Sequence, residues 1–151
     1  MKIVSLNLRG WGGSAKRKRL SSFLQKGVFD VCLLQETKKA SIEDYLIHSL
    51  WGYKDVRWVV KEPEGIKVER QGIVMHIVNI YLPCSLSGKK KLWEDLLAFK
   101  QQSGGGEWCL GGDFNVVLHS SERKGSSADN RQGERLLFNL FVEEMEVIDV
   151  P

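Results

Sequence analysis

Apolar and polar residues alternate along the chain in short blocks, and each block predicts an element. Lys2-Ile3-Val4-Ser5-Leu6-Asn7 predicts a short strand that ends polar. Gly10, Gly12 and Gly13 make residues 9–14 a loop. Over 16–26, Leu20, Phe23 and Leu24 recur at helical spacing and predict an amphipathic helix with a basic first turn, stopped by Gly27. Basic charge is unfavourable at a helix N-terminus unless an anion lies nearby. Val31-Cys32-Leu33-Leu34 is a continuous apolar run, as in a strand covered on both faces, and it ends in Gln35-Glu36-Thr37. Ser41-Ile42-Glu43-Asp44 has capping-box form and predicts a short helix with Ile42, Tyr45 and Leu46 inward.

Residues 53–60 and 73–82 read as strands, the second long, β-branched and stopped by Pro83. Residues 91–101 predict a helix with Leu92, Leu96 and Phe99 on one face, broken by Gly104-Gly105-Gly106. A strand over 107–110 leads into Gly111-Gly112-Asp113-Phe114-Asn115. Residues 119–130 are polar and loop-like, and 131–144 predict a last helix with Leu137, Leu140 and Phe141 inward. No internal repeat is visible. This alternation argues for an α/β fold with helices packed on sheet faces. Polar groups recur just after the strands: Asn7, Glu36, Tyr81, Asp113 and Asn115. Ligands of open α/β sheets bind beyond the carboxyl ends of the strands, so these side chains are expected in one cleft.

A length of 151 residues points to one domain, and 42% hydrophobic with 27% charged residues excludes wholesale disorder or a collagen-like chain. No apolar run approaches the ~20 residues of a membrane helix, and the N-terminus turns polar too soon for a signal peptide. The expectation is an intracellular protein, neither secreted nor membrane-bound. Net charge is +3, compatible with a polyanionic partner. The positive charge clusters at Lys16-Arg17-Lys18-Arg19, Lys38-Lys39 and Lys89-Lys90-Lys91. Each cluster also reads simply as a solvated helix end, and residues 16–19 fit a nuclear-import patch. Cys32, Cys84 and Cys109 are widely separated and odd in number, so neither a disulfide framework nor a zinc site follows. Cys32 and Cys109 sit in apolar runs and read as buried small hydrophobes.

Asp113 and Asn115 stand two apart after a strand, a spacing that puts both side chains on one face of an extended chain. The preceding glycines would let a bulky anion approach the backbone. A carboxylate can orient or deprotonate water, and an amide can donate to a phosphate oxygen. Glu36 is a hard oxygen ligand of the kind Mg²⁺ prefers. Taken singly, each has a plainer reading: a turn after a strand for Asp113 and Asn115, a surface carboxylate for Glu36.

Four ordered stretches are together more specific: Ser5-Leu6-Asn7-Leu8-Arg9-Gly10, Leu34-Gln35-Glu36-Thr37-Lys38, Asn79-Ile80-Tyr81-Leu82-Pro83 and Gly112-Asp113-Phe114-Asn115. On these the chain resembles the endonuclease/exonuclease/phosphatase superfamily. Residues 7–13 and 111–125, with Ser120-Ser121-Glu122-Arg123-Lys124-Gly125, are similar to the endonuclease domain of plant LINE-type retrotransposons. The resemblance implies two sheets sandwiched between outer helices, in α/β/β/α layers, and cleavage of phosphodiester bonds with Mg²⁺ or Mn²⁺. It implies that Glu36 binds the metal with Asn7 beside it, and that Tyr81 contacts the scissile phosphate. It makes Asp113 the residue that orients or activates water, and Asn115 an amide that holds the phosphate. DNA is the implied partner, with RNA left open, and Arg9, Lys16, Arg17, Lys18, Arg19, Lys38 and Lys39 are the expected backbone contacts.

Two departures from the pattern matter. Related domains continue to an Asp–His pair near their C-terminus, which this sequence lacks, and His48, His76 and His119 are poor substitutes for it. Related domains also carry further strands between Glu64 and Ile73, where this chain passes almost directly to the long strand. The expectation is therefore one truncated domain over 1–151, with incomplete sheets, exposed apolar sheet edges and weak or no activity of its own. Loss of a phosphate-contacting group typically costs ~10²–10⁴ in rate. A non-catalytic nucleic-acid-binding remnant and a phosphatase of the same superfamily are the alternative readings.

Overall fold

The first strand, β1 (Ile3–Asn7), pairs in parallel with β2 (Val31–Gln35), with Ile3 opposite Val31 and Asn7 opposite Gln35. Parallel neighbours need a crossover, and α1 (Ser14–Gly27) supplies it. In this computed structural model, residues 1–52, 55–59, 66–122 and 131–150 are described. The chain divides into two compact units: Met1–Ile66 with Val78–Ile80 and Leu110–Gly112, and Lys67–Ile77 with Tyr81–Cys109 and Asp113–Pro151.

In the first unit, α1 and α2 (Asp44–Trp51) pack together. Leu8, Trp11, Leu24, Leu46 and Leu50 form the buried cluster, with Val4, Leu6, Leu20 and Leu34 packed against it. Buried Gln35 ties the strands: its amide donates to Ser5 Oγ at 3.0 Å and to Asn79 Oδ1. Asn79 Nδ2 in turn donates to the Leu34 carbonyl at 3.0 Å. Four sequence expectations shift here. The left-handed residue closing α1 is Val28, at φ 49°, one past the expected Gly27. Phe23 is exposed and leans on Phe29, with ring centroids 5.4 Å apart. The Ser41 capping box does not form: Glu43 is the N-cap of α2, without a side-chain cap bond. Tyr45 consequently faces outward while Leu46 is buried.

In the second unit, α3 (Leu86–Gln102) and α4 (Gln132–Glu144) pack through aromatic rings. Trp93 stacks on Phe138 and Phe141, each at 5.9 Å. Ser85 caps α3 by accepting from the Gly88 N–H at 3.2 Å, so the helix starts well before the expected residue 91. The buried stripe of α3 is Lys89, Trp93 and Leu96, whereas Leu92 and Phe99 are half-buried. On α4 the buried residues are Phe138 and Phe141, followed by Met145, and the expected inward Leu140 is exposed. Trp93 sets this rotation, because stacking on both rings turns that face of α4 inward. His76 is buried and stacks on Trp108 at 4.4 Å.

A three-stranded sheet runs in the order β3 (Ile66–Arg70), β4 (Ile73–Tyr81), β5 (Glu107–Asp113). The strand β3 was not expected from the sequence. Its signal is the alternation of half-buried Ile66 and Val68 with exposed Lys67 and Glu69. The two-residue turn Gln71–Gly72 has both residues left-handed, at φ 53° and 78°, which suits a tight hairpin. Conversely, 55–59 form no strand, while 53, 54 and 60 lie outside the described residues. Residues 120–122 of the expected loop form a short 3₁₀ turn, and 123–130 lie outside the described residues. β5 runs past Leu110 through both glycines to Asp113. The reason is contact within the chain and not approach of an anion. A Cβ at Gly112, whose φ is 147°, would lie 1.8 Å from the Ile80 carbonyl oxygen, and one at Gly111 would lie 2.7 Å from Leu33 Cδ1.

Gly112→Ala should therefore destabilise the protein by at least about 3 kcal/mol in urea denaturation. Gly105→Ala, where an added Cβ meets nothing within 4 Å, should stay within about 0.5 kcal/mol of wild type. The thiols give a second expectation. Burial pushes the Cys32 thiol from its ordinary 9.0 up to about 12, and it raises Cys109 as well. Native protein at pH 8 should expose only Cys84 to a disulfide reagent, with Cys32 and Cys109 reacting after denaturation. Because the folded Cys32 thiol holds its proton more tightly than the unfolded one, its contribution is complete below pH 9 and declines as pH rises toward about 12.

Candidate functional site

Asn7 closes β1, and the parallel register puts Glu36 one residue beyond its partner Gln35. Asn7 Nδ2 donates to Glu36 Oε1 at 2.9 Å, and Asn7 Oδ1 accepts the Arg9 N–H at 3.0 Å. The ladder continues past the strands. Leu8 N–H donates to Gln35 O at 2.9 Å, Gly10 N–H to Glu36 O at 2.6 Å, and Trp11 N–H to Thr37 O at 3.0 Å. Lys16 ties this loop from α1, its ammonium donating to the Leu8 carbonyl and, at 2.8 Å, to that of Gly10. The Arg17 guanidinium donates to the Gly12 carbonyl at 2.8 Å. Two of the expected phosphate contacts are thus engaged with backbone. Arg9, Lys18, Arg19, Lys38 and Lys39 are exposed.

Tyr81, Asp113 and Asn115 belong to the second unit. Tyr81 ends β4 and is 37% exposed. The Leu82 N–H donates to the Asp113 carbonyl at 2.9 Å, and Asn115 Nδ2 donates to the Leu82 carbonyl at 2.6 Å. Asp113 Oδ1 accepts the Asn115 N–H at 3.0 Å, an Asx turn that fixes the carboxylate over its own loop. The turn and the candidate chemistry therefore coexist in the same residues. Phe114 packs on Phe138 with centroids 5.4 Å apart, anchoring the loop to α4.

One residue of this loop's support was read otherwise from the sequence. Lys89, counted there within a solvated basic cluster, is fully buried. Its ammonium donates to the Asn115 carbonyl and to Glu134 Oε1, while Lys90 and Lys91 remain exposed. The detectable signal was position: Lys89 lies four residues before Trp93 and seven before Leu96, on the apolar stripe of α3.

Backbone conformation marks the same loops. Seven non-glycine residues among those described have positive φ, and four of them are Arg9 (48°), Glu36 (49°), Lys38 (54°) and Asn115 (47°). Such conformations cost of order 1–3 kcal/mol and gather where surrounding structure holds a functional group in place.

No group of three His, Cys, Asp or Glu able to hold a metal occurs among the described residues. A Mg²⁺ or Mn²⁺ ion does not need one. Such ions are commonly held by one or two carboxylates, with water and substrate phosphate completing the shell, and the Glu36 carboxylate fits that donor set. Asn7 approaches the carboxylate through its NH₂, so it orients that carboxylate. Among these supports the buried ion pair has the largest energetic consequence. Lys89→Met leaves Glu134, 12% exposed, without its cation and should cost about 3–5 kcal/mol in urea denaturation.

The model of the family described as Endonuclease/Exonuclease/phosphatase matches residues 4–141. No match is found among curated proteins. Hydrolysis of phosphodiesters or phosphate esters is the activity this family carries, generally with divalent metals. The matched stretch takes in Asn7, Glu36, Tyr81, Asp113 and Asn115 and covers most of the chain, which belongs to the endonuclease/exonuclease/phosphatase family.

Proposed function

We propose that this chain is a nuclease domain of LINE-type retroelement origin that hydrolyses phosphodiester bonds of DNA only weakly, with Mg²⁺ or Mn²⁺ at Glu36. The observation that carries the reading is the Asn7–Glu36 hydrogen bond at the carboxyl ends of two parallel strands, with Glu36 held left-handed. Exposed Lys18, Arg19, Lys38 and Lys39 favour a polymer backbone over a small phosphoester. The retroelement origin rests on the sequence stretches 7–13 and 111–125 alone.

A bound cation would neutralise charge developing on the phosphate oxygens. The chain's residues do the rest. Asn7 keeps the Glu36 carboxylate aimed. Asp113, oriented by the Asx turn, takes the role of holding the proton of the attacking water. Tyr81 offers its phenolic O–H to a phosphate oxygen. Asn115 uses one amide hydrogen on the Leu82 carbonyl, and the other is assigned to the phosphate. Backbone contacts from basic side chains hold the strand without reading its bases.

The test joins nicking of supercoiled plasmid in Mg²⁺, against EDTA and Glu36→Ala, to a salt titration of duplex binding. The expected result is weak Mg²⁺-dependent nicking, or at least Mg²⁺-strengthened binding, that Glu36→Ala removes while salt-sensitive binding persists. Replacing Lys18, Arg19, Lys38 and Lys39 with Ala should flatten the dependence of log K on log salt by ~0.9 for each phosphate that is no longer neutralised. Absence of any Mg²⁺ effect on either readout, or nicking unchanged by Glu36→Ala, overturns the reading.

A further inference from the structure

We infer that Lys89 is a positioning residue for the Asp113-Phe114-Asn115 loop, acting through the Asn115 carbonyl; this deepens the proposed function and rests on it. Lys89 is fully buried, yet it stands on the apolar stripe of α3 in line with Trp93 and Leu96. An ammonium there is costly to bury unless its donors find partners. It reaches two: the carboxylate of Glu134 on α4 and the carbonyl of Asn115. Glu134 alone would balance the charge. The bond to Asn115 does something more, because that residue is left-handed at φ 47°. A carbonyl in a sharp turn after a strand has no ladder partner ready, and the ammonium supplies one.

Three further bonds converge on the same short loop. The Asn115 N–H donates to Asp113 Oδ1, the Asn115 amide to the Leu82 carbonyl, and Leu82 N–H to the Asp113 carbonyl. The Asp113 carboxylate is therefore oriented by the Asn115 N–H, and the peptide following Asn115 is oriented by Lys89. Phe114 packs on Phe138, which lies one turn of α4 beyond Glu134, so the same helix holds the loop by ion pair and by ring. Losing the ammonium frees the Asn115 peptide to leave the left-handed region. That loosens the Asx turn and with it the aim of Asp113.

A purely structural role makes a different prediction, and an apolar replacement pair separates the two. Replacing a buried ion pair with hydrophobic residues of similar volume is often neutral for stability. The double variant Lys89→Met/Glu134→Leu should fold cooperatively, with a urea midpoint near wild type and the Trp93–Phe138 contact retained in NMR spectra. Its Asn115 backbone amide should nonetheless exchange with solvent at least ~10-fold faster. Its kcat for Mg²⁺-dependent nicking should fall ~10²-fold with KM for DNA little changed, as misplacement of a reacting group does. Lys89→Arg, which keeps a donor in reach of both acceptors, should recover part of the loss. A double variant that matches wild type in Asn115 exchange overturns the inference. So does one that matches wild type in kcat. If wild type itself shows no nicking, Asn115 exchange alone decides the role of Lys89, and the functional reading is judged by the Mg²⁺ effect on duplex binding.

Discussion

The parallel pairing of β1 with β2 is the constraint on which the Asn7–Glu36 arrangement depends. Side chains alternate faces along a strand, so a register slip of one residue would carry Asn7 away from Glu36. Two features hold the register. The amide of buried Gln35 bridges Ser5 and Asn79, and the ladder runs on beyond the strands through Leu8, Gly10 and Trp11. Trp11 and Leu8 are themselves core residues, so the loop that follows Asn7 is anchored by burial as well as by hydrogen bonds. A carboxylate residue in a strained backbone conformation persists only in such a setting.

A single device serves the loops of both units. In the first, Lys16 on α1 donates to the carbonyls of Leu8 and Gly10; in the second, Lys89 on α3 donates to that of Asn115. Each lysine comes from a helix and donates to carbonyls of a loop that follows a strand. The mild positive charge of the chain is therefore not all available to an anionic partner. Lys16 and Lys89 are occupied with backbone, and Lys91 and Lys100 pair with Asp95 and Glu146. Among the described residues, the exposed cations left for a polyanion include Arg9, Lys18, Arg19, Lys38 and Lys39.

Much of this was legible in the sequence where periodicity and strand-end chemistry agree. The run Val31-Cys32-Leu33-Leu34 and the β-branched stretch from Ile73 fall in strands, and Asn7, Glu36, Tyr81, Asp113 and Asn115 stand at strand ends as read. The failures have definite causes. Residues 66–70 alternate over so short a span that only the left-handed Gln71–Gly72 turn completes the hairpin signal. Leu140 and Tyr45 fit an inward helical face, but partner rings and caps decide rotation: Trp93 draws Phe138 and Phe141 inward, and Glu43 displaces the Ser41 cap. Lys89 was hidden by its own charge, since a run of three lysines reads as solvent-facing until its place on the apolar stripe is noticed. Gly112 was read as room for an anion, whereas the Ile80 carbonyl occupies that room.

The central claim is that a divalent cation and a substrate phosphate meet at Glu36, and paramagnetic line broadening tests it most directly. Mn²⁺ would be titrated into labelled protein bound to a short phosphorothioate duplex, with Mg²⁺ as competitor. The account predicts broadening centred on Asn7 and Glu36, reversed by Mg²⁺ and lost in Glu36→Gln. Broadening centred instead on another carboxylate cluster, such as Glu143 and Glu144 at the end of α4, or broadening unchanged in Glu36→Gln, would contradict it.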